Sequence, residues 1–269
     1  MAAVARYLRL WLALGRFGLA RELAFRTNFV VKISVEVLWL AILIAFYRTI
    51  FARTSVVAEW SQWEYLFFVG CYFAMEGLIE TLFLENCTEF ADLVRSGDLD
   101  FILLKPIDEQ FLVTCRNIDW STAPNMLMGL AVMVIALFQL DVSLQFYQVI
   151  LFLILFACGL AMAYSFLLML TSTSVWLMRN QNLMEMWWLF TSLMRYPKEI
   201  FAGPWFTPMG WFFWFVVPIL LVVNVPARIM VKAIEPRTVA FSVLATVVLF
   251  FVSRRFFWYA LRRYRSASS

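Results

Sequence analysis

Long apolar runs alternate with short charged segments along the chain, and this alternation predicts its secondary structure. A helix that crosses a bilayer needs about 20 mostly apolar residues. Six runs reach or approach that length: 28–50, 64–85, 120–139, 147–172, 181–197 and 239–259. We therefore predict six transmembrane helices. The fifth is the shortest of them and contains Glu185.

A further apolar region, 204–227, has a different pattern because four prolines interrupt it: Pro204, Pro208, Pro218 and Pro226. Proline removes a backbone donor and clashes with the preceding helical turn, so it kinks or ends a helix. Helical halves that enter the membrane and return are tolerated where other parts of the protein cover them. We therefore predict that 198–238 is an extracellular re-entrant region and not a seventh span.

The distribution of Lys and Arg predicts the orientation of the spans, since cytoplasmic segments carry more of both residues. Six spans with both termini in the cytoplasm place 15 of the 22 cationic side chains inside and seven outside. A seven-span arrangement would move the five arginines near the C-terminus to the outside. The charge bias therefore favours six spans and two cytoplasmic termini.

Near the N-terminus, four arginines fall within one arc of about 140° on a helix: Arg6, Arg9, Arg16 and Arg21. Basic groups on one side and apolar groups on the other are typical of a helix that lies in the membrane interface. We predict such an interfacial helix within 5–26, on the cytoplasmic side. A plain N-terminal extension of the first span is the alternative.

The composition narrows the class of protein. Hydrophobic residues make up 64% of the chain and charged residues 15%, whereas soluble domains are about 45–50% apolar and about 25% charged. We therefore predict an all-α integral membrane protein, with residues 1–269 forming a single transmembrane domain. The sequence contains no His, and its four cysteines show no metal-ligand or redox spacing. No metal ion and no nucleic-acid partner are expected.

Segment 86–119 follows the second predicted span and is cytoplasmic in this orientation. With Glu85 at its edge, it holds eight of the 18 acidic residues, which indicates a structured and solvated element. Its middle part, VRSGDLDFILLKP at 94–106, predicts two helices separated by Gly97, because glycine takes the left-handed position at a helix end at little cost. We predict that the Asp98 side chain caps the second helix and that Pro106 ends it.

The second of these helices, within 98–105, is apolar at Leu99, Ile102 and Leu103 but too short to span a bilayer. A short apolar helix at the membrane surface needs a protein groove or the lipid interface to cover it. It either packs on the membrane helices of its own chain or docks with a cytosolic partner, and the pattern leaves both interpretations open.

Four ionisable residues fall inside the first two predicted spans: Lys32, Glu36, Glu76 and Glu80. Each costs about 2.5–3.5 kcal/mol to insert at the bilayer centre, so we expect these side chains to face protein or a wet cavity. Depth matching between antiparallel helices predicts that Lys32 lies within reach of Glu80, through a salt bridge or one water, and places Glu36 level with Glu76. The four groups either fix the two helices to each other or line the substrate route.

Four stretches of the sequence resemble ABC-2-type permeases of the ABC2_membrane_6 group. They are VRSGDLDFILLKPI at 94–107, which is similar to the pattern R-x-G-x-L-D-x-x-L-L-x-P, RYPKEIF at 195–201, VVPILLVVNVPA at 216–227 and YRSASS at 264–269. The resemblance implies six spans, an interfacial N-terminal helix, a re-entrant extracellular hairpin and a coupling helix in the second inner loop. It also implies two permease subunits, identical or related, that pair with two copies of a separate ATPase.

The coupling helix is the implied contact with the ATPase, and seven residues belong to it or flank it: Arg95, Gly97, Asp98, Asp100, Leu103, Lys105 and Pro106. The sequence lacks the G-x-x-x-x-G-K-[ST] phosphate loop. We therefore expect no enzyme activity in this chain, and expect ATP and Mg in the partner ATPase.

The function that we expect is that of the permease subunit of an ATP-driven exporter, in contact with the lipids of a bacterial plasma membrane. The aromatic, apolar interior favours an amphipathic or lipid-like substrate. Two alternatives from other classes are a membrane-embedded lipid-modifying enzyme and a proton-coupled secondary carrier. The absence of His counts against the first. No inverted repeat supports the second.

Overall fold

The computed structural model describes residues 2–24, 26–140, 145–177, 181–201, 208, 211–216, 218–232 and 235–264. Within these ranges, five helices are long and apolar enough to cross a membrane: Phe29–Phe51, Gln62–Ser96, Ala123–Leu140, Phe146–Leu177 and Pro236–Arg263. They coincide with the first, second, third, fourth and sixth predicted spans. The protein is therefore an all-α membrane protein.

The helices and strands are numbered in chain order. The first half contains α1 (Ala2–Ala24), α2 (Arg26–Phe51), β1 (Val56–Val57), β2 (Trp60–Ser61), α3 (Gln62–Ile79), a π-helical turn (Glu80–Leu84), α4 (Glu85–Ser96), α5 (Leu99–Leu103) and α6 (Glu109–Cys115). The second half contains α7 (Ala123–Leu140), α8 (Phe146–Leu177), α9 (Gln181–Met194), a 3-10 turn (Lys198–Phe201), a second π-helical turn (Phe212–Val216), α10 (Ile219–Val231) and α11 (Pro236–Arg263).

α3 is the centre of the fold, with 14 of its 18 residues buried. α7 packs along it at backbone distance, because glycines occupy the contact on both helices. A Cβ added at Gly77 of α3 would lie only 2.5 Å from the Met126 nitrogen of α7. Lipid supplies no hydrophobic force between spanning helices, so small residues that allow such close packing stabilise the pair. The contact fixes Asn125, at the start of α7, beside the last turn of α3.

α9 is shorter than the predicted fifth span, 181–197. Its 14 residues cover about 21 Å at 1.5 Å per residue, whereas the hydrocarbon core of a bilayer is about 30 Å thick. The segment is helical as predicted, and its described helix is shorter than this thickness; residues 178–180, directly before it, lie outside the described residues.

α10 lies in the interior, and residues 219–227 are all buried. The predicted interruption at Pro226 is wrong, because α10 runs through this residue. Pro226 has no N–H, so the Val222 carbonyl loses its partner within the helix. That carbonyl lies against Gly159 of α8, where a Cβ would collide with it. Other parts of the re-entrant prediction, at 202–207, 209–210 and 217, lie outside the described residues, as do residues 265–269 of the YRSASS stretch.

Residues 85–122 form a packed region beside α8 and α11, which we call the α4–α6 end. Phe90, Leu99, Ile102 and Leu112 are buried in one cluster with Phe257 of α11. The prediction of a solvated element is therefore only partly right. Its acids are distributed around an apolar face that packs on the membrane helices of the same chain.

The other end of α3 carries the hairpin of β1 and β2, which pair antiparallel with Val56 opposite Ser61. The two turn residues, Ala58 and Glu59, have φ values of 50° and 68°. Two left-handed residues in a two-residue turn match the twist of the flanking strands. We call this side of the molecule the hairpin end.

Candidate functional site

A polar cavity of about 460 Å³ lies between α2, α3, α7 and α9. Its lining includes five charged or amide side chains and three aromatic ones: Glu36, Glu76, Glu80, Asn125, Arg195, Trp39, Phe73 and Trp188. The cavity brings together three of the four ionisable residues that the sequence predicts inside the membrane. Lys32, the fourth, is not among the lining residues.

Glu76 is the most buried carboxylate of the cavity, with 8% of the residue exposed. Its Oε1 accepts a hydrogen bond of 2.6 Å from the Tyr72 hydroxyl, one helical turn earlier. The Arg195 guanidinium donates to the same hydroxyl at 3.2 Å and lies 5.2 Å from the centroid of the Tyr72 ring. The Tyr72 hydroxyl therefore bridges the arginine and the carboxylate, while the buried Arg195 Nε has no hydrogen-bond partner among the described residues.

Glu80 stands where α3 widens into the π-helical turn Glu80–Leu84. Such turns occur frequently at functional sites. Asn125 lines the cavity together with Glu80. Asn125 itself is only 4% exposed, and its Oδ1 has no hydrogen-bond partner within the described part of the chain. The cavity thus contains a buried acceptor that no donor in the described part of the chain satisfies.

Lys32 makes a different ion pair from the one predicted. Its amine donates to Ser121 Oγ at 2.8 Å and lies 3.7 Å from Asp119 Oδ2. The predicted salt bridge to Glu80 is therefore replaced by one to Asp119. Depth matching gives the height of a residue along a helix but not the direction of its side chain, and the turn before α7 brings Asp119 to Lys32.

The segment 94–106 contains the two short helices that the sequence predicts. Gly97 ends α4 in the left-handed conformation, with φ 82°. Asp98 stands at the N-cap of α5, but the predicted cap bond is wrong. Instead, the Asp98 carboxylate accepts a hydrogen bond from the Ser96 hydroxyl, at 2.7 Å to Oδ2. α5 ends at Leu103, before Pro106.

α5 directs its apolar side chains in two directions. Leu99 and Ile102 are buried in the α4–α6 end, and Leu103 packs at the edge of that cluster. Phe101 and Leu104 point outward, with 67% and 80% of their surface exposed. The helix therefore packs on its own chain and also presents an apolar pair at the surface.

The polar candidates of this segment surround the apolar pair. Arg95 is exposed and pairs with Asp92 at 2.7 Å. Lys105 and Pro106 are exposed, and Asp100 is half-buried. Seven sequence-predicted positions thus lie on one continuous segment, separate from the polar cavity.

Asp108 connects this segment to two other helices. Its Oδ2 lies 3.0 Å from Arg254 Nη2 of α11, and its backbone N–H donates to the Tyr7 hydroxyl of α1 at 3.0 Å. Its Oδ1 accepts from the Phe111 nitrogen and caps α6. A displacement of the α4–α6 end would therefore also move α1 and α11.

A second cavity, of about 490 Å³, lies at the hairpin end and is lined by Lys198, Trp214, Arg228 and Glu235, among others. Arg228 donates to Glu199 at 2.5 Å, and the Trp60 indole donates to the same carboxylate at 3.0 Å. Burial lowers the pKa of the Lys198 amine, and the Arg228 charge lowers it further. Cations and carboxylates are balanced in this cluster.

The described residues contain no group of three or more His, Cys, Asp or Glu that could hold a metal ion. The carboxylates of the polar cavity are therefore not arranged as a metal site. All four cysteines are free. Burial raises the pKa of the Cys115 thiol, whereas reactive cysteines have a lowered one.

Three residues of the site were not predicted from the sequence: Tyr72, Asn125 and Arg195. Tyr72 precedes Glu76 by four residues, a spacing that already places both on one helix face. Asn125 is one of two amides, with Gln139, in the mostly apolar α7, which is a usable signal. The Lys/Arg distribution assigns Arg195 to an outer loop, whereas its side chain reaches the cavity.

Comparison with known protein families gives one match. A family model described as an ABC-2 family transporter protein matches residues 37–268. The matched range contains α3 to α11 and all described lining residues of the polar cavity except Val35 and Glu36. Comparison with curated proteins finds no match.

Proposed function

The chain belongs to the ABC-2 family of transporter proteins, and on this premise we propose that it is the permease subunit of an exporter that a separate ATPase drives. The match over residues 37–268 is the observation that carries this proposal. Five long apolar helices suit a permease, and the sequence has no phosphate-loop motif with which to bind ATP itself. ATP and Mg would be bound by the ATPase.

The proposed complex has two ATPase copies. Each copy would dock against the α4–α6 end of one permease subunit, with α5 as the coupling helix. The outward position of Phe101 and Leu104 supports this role, because an exposed apolar pair within a polar surface is typical of an interaction site. Closure of the ATPase pair on ATP would displace α5 as a rigid body. The Asp108 contacts to α1 and α11 would pass that displacement to the membrane helices.

The test is co-purification of the permease with its ATPase, followed by an ATPase assay. We expect Leu104→Asp to reduce the recovered ATPase by at least about tenfold, since it buries an unpaired charge in the interface. Phe146→Asp is the matched control, because Phe146 is 82% exposed but lies at the N-terminal end of α8, away from α5. Equal loss in both variants, or loss in neither, would contradict the role of α5.

A second permease, identical or related, would complete the transport route. The polar cavity supports this arrangement, since α2 and α9 form its outer wall and expose Leu38, Trp39 and Trp188 beside it. A second permease that faces these helices would cover the exposed groups and enclose an amphipathic substrate between the two subunits. The mass of the purified complex tests this, and an active particle with one permease copy would exclude it.

The same proposal includes the six-span topology, with 181–197 as the fifth span and both termini in the cytoplasm of a bacterium. The bias of 15 inner against seven outer cationic residues supports it. Labelling of Lys105→Cys and Val56→Cys with an impermeant thiol reagent tests the orientation in cells. We expect only Val56→Cys to react from outside, and reaction of Lys105→Cys would reverse the topology.

A proton-coupled carrier is the second candidate, and the three carboxylates of the polar cavity are the observation that favours it. The two candidates differ in their energy source. The exporter requires ATP and its ATPase for transport in vesicles, whereas a carrier would respond to a proton gradient without ATP.

A further inference from the structure

The lining of the polar cavity holds more negative than positive groups. Glu36, Glu76 and Glu80 line it, and none of the three is in a salt bridge within the described residues. Arg195 is the one lining cation that the structure describes, and it donates to the Tyr72 hydroxyl. Carboxylates at membrane depth are costly unless a cation or a wet cavity offsets them. The cavity therefore favours a cationic ligand.

Asn125 specifies which kind of cation fits. Its Oδ1 is buried without a donor among the described residues, and the residue is 4% exposed and lines the cavity. A buried acceptor gains most from a ligand that brings an N–H group. A protonated amine supplies both the positive charge and the N–H donors. A quaternary ammonium supplies only the charge.

The walls indicate that an apolar body accompanies the amine. Trp39, Phe73 and Trp188 line the same cavity as the carboxylates. Aromatic faces attract organic cations, and apolar walls with a few convergent polar groups are typical of small-molecule sites. The volume of about 460 Å³ also lies within the range of such sites. A metal ion is a poorer fit, because the described residues form no metal-ligand group.

We propose that the polar cavity binds a protonated amine carried on an apolar chain or ring, and that amines of this kind are a substrate class of the exporter. The inference rests on the proposed transport function. Glu36 and Glu80 attract the ammonium group, Asn125 Oδ1 accepts one of its N–H groups, and the aromatic wall covers the apolar part. The opening beside the exposed Leu38 and Trp188 would face the second permease, so the amphiphile would lie between the two subunits.

The experiment compares four probes that share one dodecyl chain, on the purified permease–ATPase complex in lipid nanodiscs. Dodecylamine carries charge and N–H donors, dodecyltrimethylammonium carries charge alone, dodecanol is neutral, and dodecanoate is anionic. The measurements are probe binding and stimulation of ATP hydrolysis. We expect dodecylamine to bind at least about tenfold more tightly than each of the other three.

Three variants test which side chains are responsible for the binding of dodecylamine. Glu80→Gln is expected to weaken dodecylamine about tenfold, and Asn125→Leu to reduce the difference between dodecylamine and the quaternary probe. Glu185→Gln is the matched control, since Glu185 lies on α9 but is exposed and does not line the cavity. Binding that is equal across the four probes, or equal losses in Glu80→Gln and Glu185→Gln, would overturn the proposal.

The outcomes also separate this inference from the proposed function. If the complex assembles and hydrolyses ATP but shows no preference for dodecylamine, the amine site is wrong and the permease role stands. If dodecylamine binds but no ATPase associates with the chain, the cavity assignment stands and the exporter proposal fails.

Discussion

The α4–α6 end and the polar cavity use acidic residues in opposite ways. At the α4–α6 end, Glu85 pairs with Arg21 at 3.2 Å, Glu89 with Arg116 at 2.6 Å and Asp108 with Arg254 at 3.0 Å. Each of these contacts joins two segments that are distant in the sequence. In the polar cavity, by contrast, three carboxylates share a lining with one guanidinium, which bonds to a tyrosine.

The difference separates structural charges from charges that are available to a ligand. An acid that is paired on a one-to-one basis stabilises the fold modestly and leaves no charge for another group. An unpaired acid at membrane depth costs free energy, so its presence indicates a functional role. This difference is the basis for our two proposals, that the α4–α6 end is a mechanical connection and that the polar cavity is the binding site.

The largest expected effect on the unfolding free energy comes from the close contact between α3 and α7, which positions Asn125 at the cavity. Gly77→Ala places a Cβ 2.5 Å from the Met126 nitrogen, so α7 and Asn125 must move away from α3. We expect a loss of about 3 kcal/mol in unfolding free energy, since overpacking against backbone is poorly relieved. The measurement is unfolding of the purified protein in detergent.

The matched control for this change lies at the α4–α6 end. A Cβ at Gly15 of α1 would meet the tip of the flexible Ile118 side chain at 3.1 Å, and we expect Gly15→Ala to cost less than about 1 kcal/mol. Similar losses of unfolding free energy in both variants would contradict the expectation that the close α3–α7 contact is the more sensitive of the two.

A smaller effect is expected from removing one partner of a structural pair. Among the described residues, Arg116→Met leaves the Glu89 carboxylate with the Asn117 amide, at 3.2 Å, as its hydrogen-bond partner. Because the two side chains of the pair are 29% and 39% exposed, we expect a loss of about 1–2 kcal/mol, less than for a fully buried pair. The additional change Glu89→Gln should recover part of this loss, and a double variant that is as unstable as Arg116→Met alone would contradict the pairing.

Interaction energies from double-mutant cycles test which carboxylate forms the ion pair with Lys32. A double-mutant cycle of Lys32→Met with Asp119→Asn should give an interaction energy of about 0.5–1 kcal/mol, because the Lys32 side chain is 44% exposed. The cycle of Lys32→Met with Glu80→Gln should be additive within error. A larger coupling in the second cycle would restore the salt bridge that the sequence predicts and remove Glu80 from the group of unpaired acids.

The sequence predicts the spans well because lipid imposes a simple rule on them. Runs of about 20 apolar residues stand out, and the predicted 28–50 and 120–139 agree closely with Phe29–Phe51 and Ala123–Leu140. The same rule fails for buried helices that do not cross the membrane. α10 is as apolar as a span, yet it has only 13 residues, of which 11 are buried, and it continues through Pro226 with the Val222 carbonyl against Gly159.

The candidate site was predictable in its acids but not in its geometry. Glu36, Glu76 and Glu80 stand out because carboxylates are rare in membrane helices. The pattern contains no information on which side chain each of them meets, since helix rotation and the path of the turn before α7 decide that. For this reason Asp119 was not recognised as the partner of Lys32, and neither Asn125 nor Arg195 was recognised as part of the cavity.

The most direct test of the account compares the same substitution in the two regions. Glu80→Gln removes a carboxylate that has no salt bridge in the described structure, and Glu89→Gln removes one that pairs with Arg116. We expect Glu80→Gln to leave the unfolding free energy unchanged or to raise it by up to about 1 kcal/mol, and to reduce dodecylamine-stimulated ATP hydrolysis. We expect Glu89→Gln to lower the unfolding free energy by about 1 kcal/mol and to retain the amine response. A loss of stability in Glu80→Gln as large as that in Glu89→Gln, with the amine response intact in both, would contradict the account.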